Sequence, residues 1–246
     1  METLDIVTKF SSDSLSVDVV YLNFLKAFDM VPHRRLLHKL SGYDFRGDLL
    51  SWFRSFLTGR RQRVVLGDTE SAWTSVTSGV AQGSVLGPIF FILYINDLPE
   101  RISNDCKLYA DDSKVIAIMR DILSASLLQS DIDALRDWSK DWLLRLNASK
   151  CKVMHFGGSA EGHAEYMIDD LKTNTRKTLE KSDCERDLGI YIASDLRWRT
   201  HIERAASKAN KVLGMLKKTF TSRDADLWKL LYVSLVRPNL EYSSSV

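Results

Sequence analysis

The sequence predicts an α+β fold, and three observations carry that expectation. Segments with strand character and segments with helical periodicity are interleaved along the chain. Two short alternating stretches, residues 106–109 and 114–118, flank Asp111-Asp112 and put that pair at the turn of a β-hairpin. The composition, 45% hydrophobic and 27% charged over 246 residues, is that of a globular chain long enough for one large domain or two small ones. A mixed layout built around a hairpin suits α+β better than a doubly wound parallel sheet.

The elements follow in chain order. Residues 1–15 are polar with little pattern and predict a loose start. Residues 16–22 are β-branched and apolar, a buried strand. Residues 33–57 read as helix broken near Gly42-Tyr43-Asp44, with Leu36, Leu37 and Leu40, then Leu49, Trp52, Phe53, Phe56 and Leu57, on apolar faces. Residues 63–66 and 73–77 look like two strands joined around Gly67-Asp68. Residues 79–88 are glycine-rich and irregular, and the apolar run 89–95 forms a helix behind them. After the Asp111-Asp112 hairpin, Leu128, Ile132, Leu135, Trp138, Trp142 and Leu146 recur at three- and four-residue steps, an amphipathic helix whose tryptophans belong to the core. A short strand covers 152–156, one or two weak strands fall in the polar stretch 157–182, and 188–192 is another strand. Thr200 and Glu203 fit a capping box opening a helix to about residue 220, and Ser222 caps a last helix ending before Pro238.

Charge and cysteine usage narrow the function classes. The formal net charge is only +2, so support for nucleic-acid binding must come from local patches. Arg60-Arg61-Gln62-Arg63 is one. Another is 197–218, where Arg197, Arg199, Arg204, Lys208, Lys211, Lys217 and Lys218 stand against Glu203. Cys106, Cys151 and Cys184 make no C-x-x-C pair, which argues for a reducing compartment and against a disulfide scaffold or zinc knuckle. The run 89–95 is too short to cross a bilayer, and no signal peptide opens the chain. The expectation is an intracellular protein of the cytoplasm or nucleus, without a membrane partner.

Asp111-Asp112 offers two hard oxygen donors at one turn, suited to a magnesium ion that takes one or two carboxylates plus phosphate oxygens. By itself such a pair is ordinary turn chemistry. The surrounding segments give it meaning. They run Leu22-Asn23-Phe24-Leu25-Lys26-Ala27-Phe28-Asp29, Val31-Pro32-His33, Ala81-Gln82-Gly83-Ser84-Val85-Leu86-Gly87-Pro88, Tyr94-Ile95-Asn96-Asp97-Leu98-Pro99, Tyr109-Ala110-Asp111-Asp112, Leu146-Asn147-Ala148-Ser149-Lys150-Cys151-Lys152, Asp187-Leu188-Gly189, Ser194-Asp195-Leu196-Arg197-Trp198, Lys208-Ala209-Asn210-Lys211 and Arg237-Pro238-Asn239-Leu240-Glu241-Tyr242. In this order they resemble the reverse transcriptase of non-LTR (LINE-type) retrotransposons of the jockey and CR1-like kind, over about residues 17–243.

The resemblance implies a right-hand polymerase palm, an antiparallel sheet backed by helices, over 16–157. Residues 158–246 would then hold the end of the palm, the primer grip and a partial helical thumb. Only about 15 residues precede the strand leading to Asn23, where the family has a fingers region, so fingers are expected to be largely absent. The implied reaction is two-metal nucleotidyl transfer from deoxynucleoside triphosphates to a DNA primer 3′-hydroxyl on an RNA template. Asp111 and Asp112 match two of the family's metal-binding aspartates. Asn23 stands where the third belongs, and the backbone carbonyl of Phe24 would face the metal. Phe28 matches the aromatic steric gate under the sugar, Gln82 and Gly83 the loop touching nucleotide and template, and Lys150 a lysine that could protonate pyrophosphate. Leu188 and Gly189 match the primer-grip hairpin, and Arg204, Lys208 and Lys211 a phosphate-tracking helix. An amide cannot supply the charge of the bridging carboxylate, so the two-Mg²⁺ site should be weakened and catalysis impaired. The competing expectation is a non-catalytic nucleic-acid-binding relic or co-opted protein.

Overall fold

The computed structural model of the chain describes residues 2–13, 15–158, 163–170 and 175–244. In order the elements are α1 (Glu2–Ser12), β1 (Ser16–Leu22), α2 (Ala27–Met30), α3 (His33–Gly42), α4 (Gly47–Leu57), β2 (Arg61–Gln62), β3 (Val65–Leu66), β4 (Thr69–Glu70), β5 (Thr74–Ser75), α5 (Leu86–Ile95), β6 (Asp105–Tyr109), β7 (Asp112–Met119), α6 (Ile122–Trp142), β8 (Lys152–Phe156), β9 (Met167–Asp170), β10 (Thr175–Thr178), β11 (Glu180–Lys181), β12 (Cys184–Asp187), β13 (Ile190–Ala193), α7 (Arg199–Thr219), α8 (Ala225–Leu231) and α9 (Arg237–Glu241). Helices and strands mix as the sequence predicts.

The main sheet has the order β11-β8-β1-β7-β6. β1 is central, and Val17, Val19, Val20 and Leu22 are all buried, so both faces are covered and the strand reads as a continuous apolar run. Full burial of such a side chain contributes about 1.5–3 kcal/mol. β1 and β7 run antiparallel. The Tyr166 hydroxyl donates to Asp18 near the start of β1 (2.5 Å) and also touches the sulfur of Met119 at the end of β7 (3.9 Å). The end of β1 therefore lies beside the start of β7.

Two compact units divide the chain. Residues 17–153 with 159–181 form one, and residues 1–16, 154–158 and 182–246 the other. The first holds the large core, in which Val20 and Leu22 pack with Leu36 and Leu40 of α3, Phe90, Phe91 and Tyr94 of α5, and Leu128, Ile132, Leu135 and Trp138 of α6. The stretch 163–170 joins this unit, where a sequence boundary at 157 separated it. The Gln129 side-chain amide pairs both ways with the Met167 backbone (3.0 and 2.7 Å), and Arg136 of α6 reaches Asp169 (3.2 Å). The second unit has a smaller core of Ala209, Leu216 and Val236.

Other elements differ from expectation for identifiable reasons. The loose start is helix α1, whose Leu4 and Val7 are buried. The 63–77 hairpin is built from two ladders, β3 with β4 around Gly67-Asp68 and β2 with β5 outside it. The helix predicted to Leu146 ends at Trp142, because Leu143 turns left-handed (φ 56°). Its start carries a capping box from Asp121 and Ser124 that the apolar periodicity did not reveal. The box expected at Thr200 is absent: α7 begins after Trp198 without a side-chain cap, and Glu203 is engaged by Arg199 at i,i+4 instead (2.9 Å). Asp224, not Ser222, caps α8. Pro238 does not end the last helix but sits in the first turn of α9, after a π-helical stretch (Tyr232–Val236), where its missing N–H costs nothing. The strand expected from 188 starts at Ile190, because Leu188 (φ 47°) and Gly189 (φ 91°) form the two-residue turn between β12 and β13.

Candidate active site

The hairpin between β6 and β7 fixes where the two aspartates stand. Tyr109 pairs with Asp112, so Ala110-Asp111 is the whole turn. A turn this short needs a left-handed residue, and Ala110 adopts φ 54° without being glycine. Asp111 and Asp112 are both exposed at the tip.

Asn23 lies one residue past β1. Its backbone is held by the segment after α6: Asn147 N–H donates to the Asn23 carbonyl (2.7 Å), Leu25 N–H to the Arg145 carbonyl (2.8 Å), and Phe24 bridges Leu146. The buried Cys151 completes the clamp, its sulfur accepting from Asn23 N–H (3.4 Å). Burial pushes that thiol up to about 11 and keeps it neutral. Asn147 and Cys151 as holders of position 23 were not predicted as such; their only sequence signal is the Asn147–Cys151 string itself. Phe24 is buried with its ring 6.3 Å from Trp138. Because β1 and β7 are antiparallel neighbours, the end of β1 that leads to Asn23 and the end of β7 that carries Asp112 share one end of the sheet.

The next segments pack close by in the chain's first unit. Phe28 stacks on Phe91 of α5 (centroids 4.5 Å) and is partly buried. Val80 N–H donates to the Phe28 carbonyl (2.8 Å), and the Gln82 amide donates to the Asp29 carboxylate (3.2 Å), so the 79–87 loop is fastened to the 28–31 segment. Asp29 faces Gln82 and is thereby engaged. Gly83 is left-handed and open, while Gly87 packs its α-carbon against the Ala81 carbonyl. A Cβ on Gly87 would lie 2.4 Å from that oxygen. Gly87→Ala is therefore expected to cost on the order of 1–3 kcal/mol, read as a lowered urea midpoint, and to displace the loop bearing Gln82. Lys150 is exposed, and its backbone N–H closes a turn onto the Asn147 carbonyl (2.8 Å).

The remaining predicted residues lie in the second unit. Leu188 and Gly189 are the β12–β13 turn, and Tyr242 packs on it, its hydroxyl donating to the Leu188 carbonyl (2.7 Å) and its ring 3.0 Å from a Cβ built on Gly189. On α7, Arg204, Lys208 and Lys211 are exposed at i, i+4 and i+7, on one helical face. Arg204 stacks over Tyr191 (4.3 Å).

The donor set at the Asp111 turn suits a hard cation. Asp111 and Asp112 bring two hard carboxylate oxygens to it, and the segment with the Asn23 amide and the Phe24 carbonyl follows the neighbouring strand β1 at the same end of the sheet. Among the described residues no three His, Cys, Asp or Glu side chains are grouped to hold a metal. Among the described residues no helix is long and apolar enough to cross a membrane.

The family described as reverse transcriptase (RNA-dependent DNA polymerase) matches residues 10–215. The RNA-directed DNA polymerase from mobile element jockey of Drosophila melanogaster is 35% identical over 194 residues, which is 74% of this chain and 20% of that protein. The probable RNA-directed DNA polymerase from transposon X-element of the same organism is 31% identical over 243 residues, 92% of this chain and 25% of that protein. The chain thus spans a fifth to a quarter of these relatives. A telomerase structure from Candida tropicalis, in complex with a TWJ fragment of telomeric RNA, aligns with TM-score 0.50 and 13% identity, covering 100% of this chain and 43% of the telomerase. That likeness concerns the polymerase palm fold alone.

Proposed function

The chain belongs to the reverse transcriptase (RNA-dependent DNA polymerase) family, in its non-LTR retrotransposon branch, and from that premise we propose that it is the palm and adjoining region of an RNA-directed DNA polymerase whose catalysis is impaired by Asn23. The activity would be transfer of deoxynucleotides to a DNA primer 3′-hydroxyl on an RNA template. The observation that carries the reading is the shared sheet end: Asp112 opens β7, Asn23 follows β1, and these strands are antiparallel neighbours.

The family generally uses divalent metals, and Asp111, Asp112, the Asn23 amide oxygen and the Phe24 carbonyl would hold two magnesium ions here. When bound they supply charge neutralisation and a lowered pKa for the attacking hydroxyl. The protein's own residues position the reactants. Phe28, backed by Phe91, offers a flat wall under the sugar, and Gln82 and Gly83 present an amide and open backbone to the nucleotide. Lys150 is exposed and would donate a proton to pyrophosphate. The Leu188-Gly189 turn would press on the primer.

The test is primer extension on an RNA template by the chain as it stands, expected to be undetectable; robust extension would refute the impairment. The basic face of α7 favours retained nucleic-acid binding even without catalysis. Replacing Arg204, Lys208 and Lys211 by alanine is expected to weaken RNA–DNA duplex binding. The salt dependence should flatten by roughly 0.9 for each phosphate no longer neutralised, measured by anisotropy titration across KCl concentrations.

A further inference from the structure

A second concentration of positive charge stands apart from the Asp111 turn. α3 presents Arg34 and His38 one turn apart, α4 presents Arg54, and the chain then bends at Gly59 (φ 72°) so that Arg60, just before β2, and Arg61, its first residue, line the same groove. The groove has a volume of about 820 Å³. Neither Asn23, Gln82, Asp111, Asp112 nor Lys150 lines it. Among the described residues no acidic side chain lines it either, and none of its four arginines has an ion-pair partner there. Four guanidinium charges gathered without compensation, in a chain whose formal net charge is +2, repel one another and attract an anion. The guanidinium fork matches phosphate oxygens in particular.

An aromatic ring adjoins this charge. Trp73 is half exposed, with the Arg61 guanidinium 5.8 Å and the Arg63 guanidinium 4.7 Å from its ring centroid. A basic groove beside an accessible ring is the arrangement that holds a single strand, phosphates on the arginines and a base on the aromatic face. We infer that this groove between α3, α4 and the β2–β5 ladder binds the phosphate backbone of single-stranded nucleic acid, at a site separate from the polymerase centre.

Anisotropy of a labelled uridine 20-mer with the full chain, across KCl concentrations, tests the inference without requiring catalysis. Arg34→Gln with Arg54→Gln changes two exposed side chains and should leave the thermal midpoint unaltered. This double variant is expected to bind the oligonucleotide at least tenfold more weakly. Its log K against log salt should be shallower by roughly 1.4, at about 0.7 for each single-strand phosphate no longer neutralised. Arg60→Gln provides a second, independent variant with half that slope change. A 5-bromouridine version of the oligonucleotide should crosslink to the tryptic peptide containing Trp73. Unchanged affinity and slope in both variants would overturn the inference. So would a polyglutamate peptide that binds as tightly and displaces the oligonucleotide, which would assign the groove to an acidic protein segment. The impaired-polymerase reading is tested separately, by primer extension with the natural chain and its Asn23→Asp variant.

Discussion

Asn23→Asp is expected to bring primer extension from below detection in the natural chain into the measurable range, a gain in single-turnover rate of roughly a thousandfold or more, about 4 kcal/mol of barrier. The substitution exchanges an amide for a carboxylate of nearly the same shape. The backbone at this position is set by Asn147, Arg145 and Cys151, none of which contacts the side chain through these bonds, so the new group should occupy the same place. What changes is charge. Two dications held near one another repel, and a carboxylate among their ligands offsets that repulsion where an amide dipole does not. Asp111 and Asp112 are exposed at their turn, open to the cation that the proposed function places there. The same substitution should tighten manganese binding, followed by water-proton relaxation, and adding Asp111→Asn should return extension to baseline. An Asn23→Asp variant that binds manganese more tightly yet extends no primer would show that the missing carboxylate is not the main deficit.

Asp97→Ala is expected to destabilise the first unit by about 3–5 kcal/mol in urea denaturation, because it strips the partner from a buried ammonium. Lys39 of α3 has a side chain only 5% exposed, and it donates to the Asp97 carboxylate and the Tyr94 carbonyl. The ammonium lies over the Trp142 ring (3.8 Å to its centroid), with the Tyr94 and Trp138 rings at 4.9 and 5.1 Å. The Trp138 indole N–H donates to the same carboxylate (3.1 Å). Burial pushes the lysine below its usual range and Asp97 pulls it back up. Replacing both partners, Lys39→Met with Asp97→Asn, should cost far less than Asp97→Ala alone, since no unpaired charge is left inside. A loss below 1 kcal/mol for Asp97→Ala would mean that the ammonium reaches water.

This cluster shows how far the sequence could be read. Leu36, Leu37 and Leu40 announce a helix by their spacing, and Trp138 and Trp142 announce a core stripe. Nothing in the string announces that Lys39, among those leucines, turns inward, because its partner Asp97 is 58 positions away. Local signals failed in a related manner elsewhere. The Thr200 and Glu203 spacing is right for a capping box, but Arg199 competes for the same glutamate and takes it. Residues 1–15 lack pattern, yet two apolar side chains, Leu4 and Val7, are enough to order a helix when a surface exists to bury them.

The candidate site divides along the same line. Strand β1, the hairpin carrying Asp111 and Asp112, and the family itself are written in short contiguous segments, where residue type and periodicity act within a few positions. So is the amide at Asn23, in a string where the family resemblance calls for a carboxylate. Only the tertiary structure decided that β1 and β7 are antiparallel neighbours, that Cys151 and Asn147 clamp position 23, and that arginines from α3, α4 and β2 meet in one groove. Those relations depend on pairing and packing between residues far apart in the chain. No local propensity encodes such contacts; they form only when the whole core closes.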